Sequence, residues 1–140
     1  MRSEKPRLRR LGAAHASAAR RRRAYRRGRL SEAICRLVLR CKGYRILAQN
    51  YHSPVGEVDI IARRGAMLIL VEVKARQRLE DAAEAVGARQ RQRIARAATA
   101  FLAQNRHLSA LSVRFDVMLV RSWRWPRHIA NAWQSEERSR

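Results

Sequence analysis

The stretch that decides the fold is Gly56-Glu-Val-Asp-Ile-Ile-Ala-Arg-Arg-Gly-Ala-Met-Leu-Ile-Leu-Val-Glu-Val-Lys74. Two runs rich in β-branched and apolar residues, 57–63 and 66–74, flank Arg64-Gly65, and this pattern predicts a β-hairpin. The second run contains Met-Leu-Ile-Leu-Val, which is apolar on both faces of a strand. Such a strand lies centrally in a sheet that is covered on both sides. We therefore expect other elements to pack on both faces of the hairpin.

The flanking sequence supplies those elements. We predict each segment from three patterns: apolar residues at helical spacing, alternation of apolar and polar residues, and the positions of Gly and Pro. The predicted elements are a helix over 30–42, a strand over 44–49, a loop over 50–56, the hairpin, a helix over 81–105, a strand over 112–120 and an edge strand over 123–129. The order αβββαβ, with one optional edge strand, predicts an α/β fold: a mixed β-sheet flanked by helices.

Composition sets broad limits on the function. The 140 residues fit one domain, and 32 Lys or Arg against 11 Asp or Glu give a formal charge of +21. No apolar run approaches the roughly 20 residues of a transmembrane helix, so we expect no transmembrane segment. Cys35 and Cys41 fit neither a disulfide framework nor a zinc motif, which favours a reducing, cytoplasmic location. The charge favours nucleic acid as the partner, with an anionic membrane surface as the alternative.

The basic charge is concentrated at the N-terminus. The first 29 residues hold 12 Lys or Arg and one acid, so we expect residues 1–27 to form a disordered arm. The folded domain is then 28–133, with a disordered tail over 134–140. Arg21, Arg22 and Arg23 are candidate phosphate contacts. A transit peptide and a general bias toward arginine are alternative explanations of the arm.

Acidic residues lie at the ends of the two hairpin strands that are far from the turn. Glu57 and Asp59 project from one face of the first strand, and the face of the second strand that carries Leu68 and Leu70 continues with Glu72 and Lys74. A charge at the end of a buried strand must be paired, hydrated or bound to a cation, and a divalent cation would remove the repulsion between converging carboxylates. Oxygen ligands without His or Cys favour Mg²⁺ or Mn²⁺. The alternative is structural: Glu72 and Lys74 form an exposed pair, and Glu57 contacts an arginine.

These residues also form a recognisable pattern. Gly56-Glu-Val-Asp59, followed after twelve residues by Glu72-Val-Lys74, resembles the bipartite motif of the PD-(D/E)XK nucleases. The chain as a whole is similar to the YraN family of small bacterial endonuclease-like proteins. The supporting segments are Gly28-Arg-Leu-Ser-Glu32, Gly43-Tyr-Arg-Ile-Leu47 with Asn50, Val71-Glu-Val-Lys-Ala-Arg76 and Arg114-Phe-Asp-Val117.

The resemblance implies a restriction-endonuclease-like core, similar to Holliday-junction resolvases, that hydrolyses phosphodiester bonds and leaves a 5′-phosphate. By position, Asp59 and Glu72 match the metal-binding acids, Lys74 matches the motif lysine, and Glu32 matches a further acid of the metal site. It also implies Mg²⁺ or Mn²⁺ as cofactor, DNA rather than RNA as partner, and a homodimer with two sites. The remaining candidate nucleic-acid contacts are Arg76, Gln90 and Arg93, with Gln90 nearest the place where the family's long helix usually has lysine.

Other interpretations stay open beside the nuclease. A catalytically silent DNA- or RNA-binding protein on the same fold accounts for the charge equally well, and a ribosomal-type RNA-binding protein accounts for the arm. Trp123 and Trp125, interleaved with arginines, can stack on bases, although we favour partly buried packing at the sheet edge. Asp116 is interpreted as the partner of Arg114 in a structural salt bridge.

Overall fold

The computed structural model describes residues 28–75 and 86–135. The chain divides into two units, Met1–Ala33 and Ile34–Arg140. In the first unit the described residues, 28–33, are helical. The predicted arm over 1–27 lies outside the described residues, as does 136–140 of the predicted tail, whereas Gln134 and Ser135 are neither helix nor strand.

The elements confirm the predicted α/β class. Their bounds are α1 (28–41), β1 (Arg45–Ser53), β2 (Gly56–Arg64), β3 (Met67–Ala75), α2 (Ala88–Gln104), a 3₁₀ turn (Arg106–Leu108), β4 (Ser112–Val120) and β5 (Arg127–Trp133). The strands form one sheet in the order β1-β2-β3-β4-β5. Neighbours are antiparallel except for β3 and β4, which are parallel and are connected through α2. The sheet is therefore mixed, as the order of elements requires.

The second unit has a hydrophobic core on each face of this sheet. On one face Leu68 and Leu70 of β3 pack with Ile94 and Ala97 of α2. On the other face Ile69 and Val71 pack with Cys35 and Leu39 of α1. Every residue from Leu68 to Val71 is fully buried, which confirms that the apolar run is a central strand. In the part of the chain that the structure describes, no helix is long and apolar enough to cross a membrane.

The predicted bounds of two segments differ from the structure. The predicted loop over 50–56 is mostly strand, because Tyr51 and His52 pair with Val58 and Glu57 and leave only a two-residue turn before β2. The long helix begins at Ala88 rather than at 81: residues 86–87 are not helical, and residues 76–85 lie outside the description. The loop prediction failed because Pro54 and Gly56 mark the turn and the start of β2 rather than a longer irregular segment.

The predicted edge strand over 123–129 is also wrong in its position. The strand runs from Arg127 to Trp133, and it is Trp133 that is buried, stacked on Phe115 with ring centroids 5.4 Å apart. Trp123 is fully exposed and Trp125 is 72% exposed, so the favoured packing interpretation of both residues is contradicted. The reason is local: Trp123 has a φ of 62°, which is incompatible with an extended strand, and Pro126 has no N–H for a sheet hydrogen bond.

Candidate active site

Adjacent strands place Asp59 and Glu72 side by side. Ile60 of β2 pairs with Val71 of β3, so the two acids occupy the next position of the antiparallel ladder and face the α2 side of the sheet. The Asp59 carboxylate also bridges the strands, because its Oδ2 accepts a hydrogen bond of 2.8 Å from the Val73 N–H. The sequence spacing of the motif thus becomes a spatial pair through strand register.

Glu72 is the more enclosed of the two acids. It is 6% exposed, and its Oε1 accepts a hydrogen bond of 2.5 Å from Gln90 Nε2 of α2. The ammonium group of Lys74 lies 3.3 Å from the same oxygen. The alternative of an exposed Glu72–Lys74 pair is therefore wrong about exposure, although the two residues do form an ion pair.

The two acids perturb each other's protonation. Burial raises the pKa of Asp59, although the Val73 N–H and Lys74 oppose the shift. Burial, and then the neighbouring Asp59 carboxylate, raises the pKa of Glu72 to about 7. The pair therefore retains a proton up to near-neutral pH. A divalent cation fits this pair, because it would replace the proton and neutralise both carboxylates.

A groove with a volume of about 530 Å³ opens beside the acids. Asn50 and His52 of β1 line it on one side, and Arg89 and Arg93 of α2 line it on the other. Gly87 precedes the first residue of α2, and Gly87, Arg89, Gln90 and Arg93 line the groove, with Gln90 in direct contact with Glu72. The groove combines carboxylates at its base with arginines at its wall, a distribution that suits a phosphate bound to a cation.

Glu57 does not join the two acids as a ligand-like third carboxylate. It lies 3.1 Å from His52 Nδ1 and 3.7 Å from the Arg93 guanidinium, which confirms the alternative that it contacts an arginine. Within residues 28–75 and 86–135, no three His, Cys, Asp or Glu side chains are grouped closely enough to hold a metal ion.

The structure brings only some of the other predicted site residues to the groove. Gln90 and Arg93 line the groove, and Gln90 donates a hydrogen bond to Glu72. Glu32 belongs to the unit Met1–Ala33, and its part in the site stays a prediction. The remaining candidates, Arg76, Arg21, Arg22 and Arg23, lie outside the described residues.

Asn50, His52 and Arg89 are groove residues that the sequence reasoning did not identify. The predicted loop over 50–56 does not show that Asn50 and His52 lie on β1, where His52 pairs with Glu57. The sequence could have identified Arg89, since it neighbours Gln90 and lies one helical turn before Arg93. If the helix had been predicted to begin after Gly87 instead of at residue 81, Arg89, Gln90 and Arg93 would all have been placed in its first two turns.

A second buried carboxylate, Asp116, is structural, as predicted. Arg114 donates two hydrogen bonds of 2.8 Å to it, and the Asn131 N–H donates a third. His128 Nε2 lies 2.7 Å from Asp116, while Lys42, which can only donate, lies 3.0 Å from His128 Nδ1, so the proton of His128 is on Nε2. Burial alone would raise the pKa of Asp116, but the bonds from His128, Arg114 and Asn131 lower it to about 2.

Most of the chain matches a known protein family. Residues 31–120, which include both acids, Lys74 and the whole of α2, match the family described as Uncharacterised protein family UPF0102. This chain belongs to the UPF0102 family. The match confirms the resemblance to the YraN family, which is the same family.

Individual bacterial relatives agree over most of their length. A UPF0102 protein of Paramagnetospirillum magneticum is 50% identical over 115 residues, covering 79% of this chain and 89% of the relative. A UPF0102 protein of Parvibaculum lavamentivorans is 48% identical, covering 79% of this chain and 84% of the relative. One from Rhizobium meliloti is 42% identical and covers 94% of this chain and 99% of the relative.

Proposed function

We propose that this protein is a metal-dependent endonuclease that binds nucleic acid and hydrolyses phosphodiester bonds. One observation carries the proposal: Asp59 and Glu72 line the same groove as Arg89 and Arg93, and the Lys74 ammonium group lies 3.3 Å from Glu72. Paired acids next to a lysine in an arginine-lined groove match the requirements of phosphodiester hydrolysis, in which a cation and a fixed ammonium group stabilise negative charge.

In this proposal the acids hold the cofactor and the cations hold the substrate. Asp59 and Glu72 are the ligands of Mg²⁺ or Mn²⁺, with Glu32 as the further acid implied by the resemblance. The bound ion would polarise the phosphate and lower the pKa of a water molecule. Lys74 stabilises the charge that develops on the phosphate oxygens. Arg89 and Arg93 bind the backbone phosphates on either side, and Arg76 and the Arg21–Arg23 run extend this contact.

The supporting residues orient the acids. The Val73 N–H fixes one oxygen of Asp59 at 2.8 Å, and Gln90 fixes one oxygen of Glu72 at 2.5 Å. The net charge of +21 favours a polyanionic substrate, and we propose DNA rather than RNA, in the cytoplasm. Cleavage of a four-way junction would require two such sites, hence a homodimer.

The test is cleavage of end-labelled linear, flapped and four-way DNA and of RNA by the wild type and by Asp59→Ala. Each substrate is incubated with Mg²⁺, with Mn²⁺ and with EDTA, and binding is measured in parallel. We expect metal-dependent products from the wild type and at least about a hundredfold less from the variant, with binding retained or stronger. Equal cleavage by both proteins would refute the assignment.

A catalytically silent nucleic-acid-binding protein is the second candidate. One observation favours it: the same Glu72 oxygen contacts both Gln90 and Lys74, so a cation bound through that oxygen would displace one of them. This candidate predicts tight binding that does not change with Mg²⁺ or EDTA, and no cleavage of any of the substrates above.

A further inference from the structure

The loop between β4 and β5 exposes two large aromatic side chains. This tryptophan loop comprises residues 121–126, with Trp123 fully exposed and Trp125 72% exposed. Trp123 also has a φ of 62°, a conformation that bulky residues rarely adopt. These two tryptophans, two positions apart on one short loop, are the largest apolar side chains that the described residues expose to solvent. Exposed aromatic groups of this size mark interaction surfaces.

The charge of the tryptophan loop selects an anionic partner. Arg121, Arg124 and Arg127 alternate with the tryptophans, and the sequence has no acid between Asp116 and Glu136. The Nε–H of Arg121 is buried and has no hydrogen-bond acceptor among the described residues. Arginines with interleaved aromatic residues suit nucleic acid, whose phosphates pair with guanidinium groups and whose bases stack on rings.

Strand register places this loop at the edge of the sheet where β3 ends. β3 and β4 are parallel, with Lys74 opposite Leu119 and Ala75 opposite Val120. The tryptophan loop therefore leaves β4 at the same edge of the sheet to which β3 delivers Glu72 and Lys74. No residue of the loop lines the groove itself, so the loop would contact nucleotides beyond those bound in the groove.

We propose that Trp123 and Trp125 stack on unpaired bases of a nucleic acid whose backbone lies in the groove. The inference rests on the proposed function and narrows its substrate to nucleic acid with a single-stranded segment next to the bound phosphate. The physical reason is that base faces are accessible to an aromatic ring only where bases are not stacked inside a duplex. An anionic membrane is the less favoured partner, because two rings on a short loop supply little of the apolar area that interfacial anchoring uses.

The test compares single-stranded with double-stranded binding in EDTA, so that it does not depend on cleavage. The probes are a fluorescein-labelled oligothymidine and a labelled duplex of the same length, and the proteins are wild type, Trp123→Ala, Trp125→Ala and the double variant. Leu37→Ala, which truncates another exposed apolar side chain, is the control. We expect on the order of tenfold weaker oligothymidine binding for each lost stack, and a change below about twofold for the duplex and for Leu37→Ala.

Salt dependence separates stacking from charge. The tryptophan variants should leave the slope of log K against log salt unchanged, because no cation is lost, whereas Arg124→Gln should reduce the slope on a single strand by about 0.7. Equal losses for oligothymidine and duplex, or no loss, would overturn the inference. So would tryptophan-dependent binding to phosphatidylserine vesicles without tryptophan-dependent binding to oligothymidine.

The two proposals fail separately. If Asp59→Ala cleaves as well as wild type, or nothing cleaves, the nuclease assignment fails while the binding difference in EDTA is still measured. If the tryptophan variants bind oligothymidine normally, this inference fails while metal-dependent cleavage by the groove still stands.

Discussion

Gly56 lies directly against the backbone of Arg93. A Cβ atom on Gly56 would overlap the Arg93 carbonyl oxygen and would lie 2.8 Å from its carbonyl carbon. The start of β2 and the second turn of α2 are therefore in backbone contact, which only a residue without a side chain permits. This contact keeps the start of α2 close to β2, where Gln90 reaches Glu72 and Arg93 lines the groove.

Replacing Gly56 should therefore damage both the fold and the groove. We expect Gly56→Ala to lower the free energy of unfolding by about 2–3 kcal/mol, because backbone atoms cannot move aside as a flexible side chain does. The measurement is urea unfolding followed by circular dichroism. Gly87→Ala is the matched control, since nothing lies within 4 Å of its added Cβ. Equal stability of Gly56→Ala and Gly87→Ala would contradict the contact.

Glu72 should make stability depend on pH in the absence of metal. Its pKa is raised from 4.5 to about 7, so the stability that it contributes is complete below about pH 4.5 and is lost as the pH rises to about 7. A shift of this size corresponds to about 3 kcal/mol. We expect Glu72→Gln to be more stable than wild type at pH 8 in EDTA, with a much smaller difference at pH 5, when both are followed by thermal unfolding.

Mg²⁺ provides the control for that experiment. If the ion binds the ionised pair, it should stabilise the wild type at pH 8 and leave Glu72→Gln almost unchanged, because a ligand stabilises only the state that binds it. A pH-independent gap between the two proteins would show that burial and the neighbouring Asp59 do not raise the pKa of Glu72.

Asp116 should control stability at acidic pH. Its pKa is lowered from 3.8 to about 2, so its stabilising contribution is present above about pH 3.8 and is lost as the pH falls to about 2. The loss amounts to about 2 kcal/mol. We expect Asp116→Asn to cost about 3–5 kcal/mol at pH 7, since it leaves Arg114 without its buried partner, and to show a smaller loss over the acidic range. Parallel acid unfolding curves for both proteins would refute this role.

Gln90 should affect metal use more than nucleic-acid binding. Gln90→Met keeps the length of the side chain but removes the amide that donates to Glu72. In cleavage assays we expect the Mg²⁺ concentration for half-maximal rate to rise about tenfold, because groups that orient metal ligands typically change affinity by that factor. Gln92→Met, on the exposed side of the same helix, is the control and should match wild type. An unchanged Mg²⁺ requirement in Gln90→Met would mean that its contact with Glu72 does not orient the carboxylate.

Much of this arrangement was predictable from local sequence. The apolar run of β3 could only be a doubly covered strand, and the same-face spacing of Leu68, Leu70, Glu72 and Lys74 follows from the period of two in a strand. The salt bridge of Asp116 with Arg114 follows from the same period. The extent of β1 and the start of α2 were not predictable, because pairing with β2 and packing against Gly56 override the local signals of Pro54, Asn50 and the alanine-rich helix.

The sequence by itself determined the class of fold, the basic charge and the identity of the paired acids, because each of these depends on residues close together in the chain. The tertiary structure decided which groups those acids meet. Only the approach of α2 to β2 brings Gln90 to Glu72, and only the register of β4 beside β3 places the tryptophan loop at the sheet edge where β3 ends. The physical reason is that burial, hydrogen bonding and pKa depend on neighbours in space, which strand pairing and helix packing fix and which no local pattern of the chain encodes.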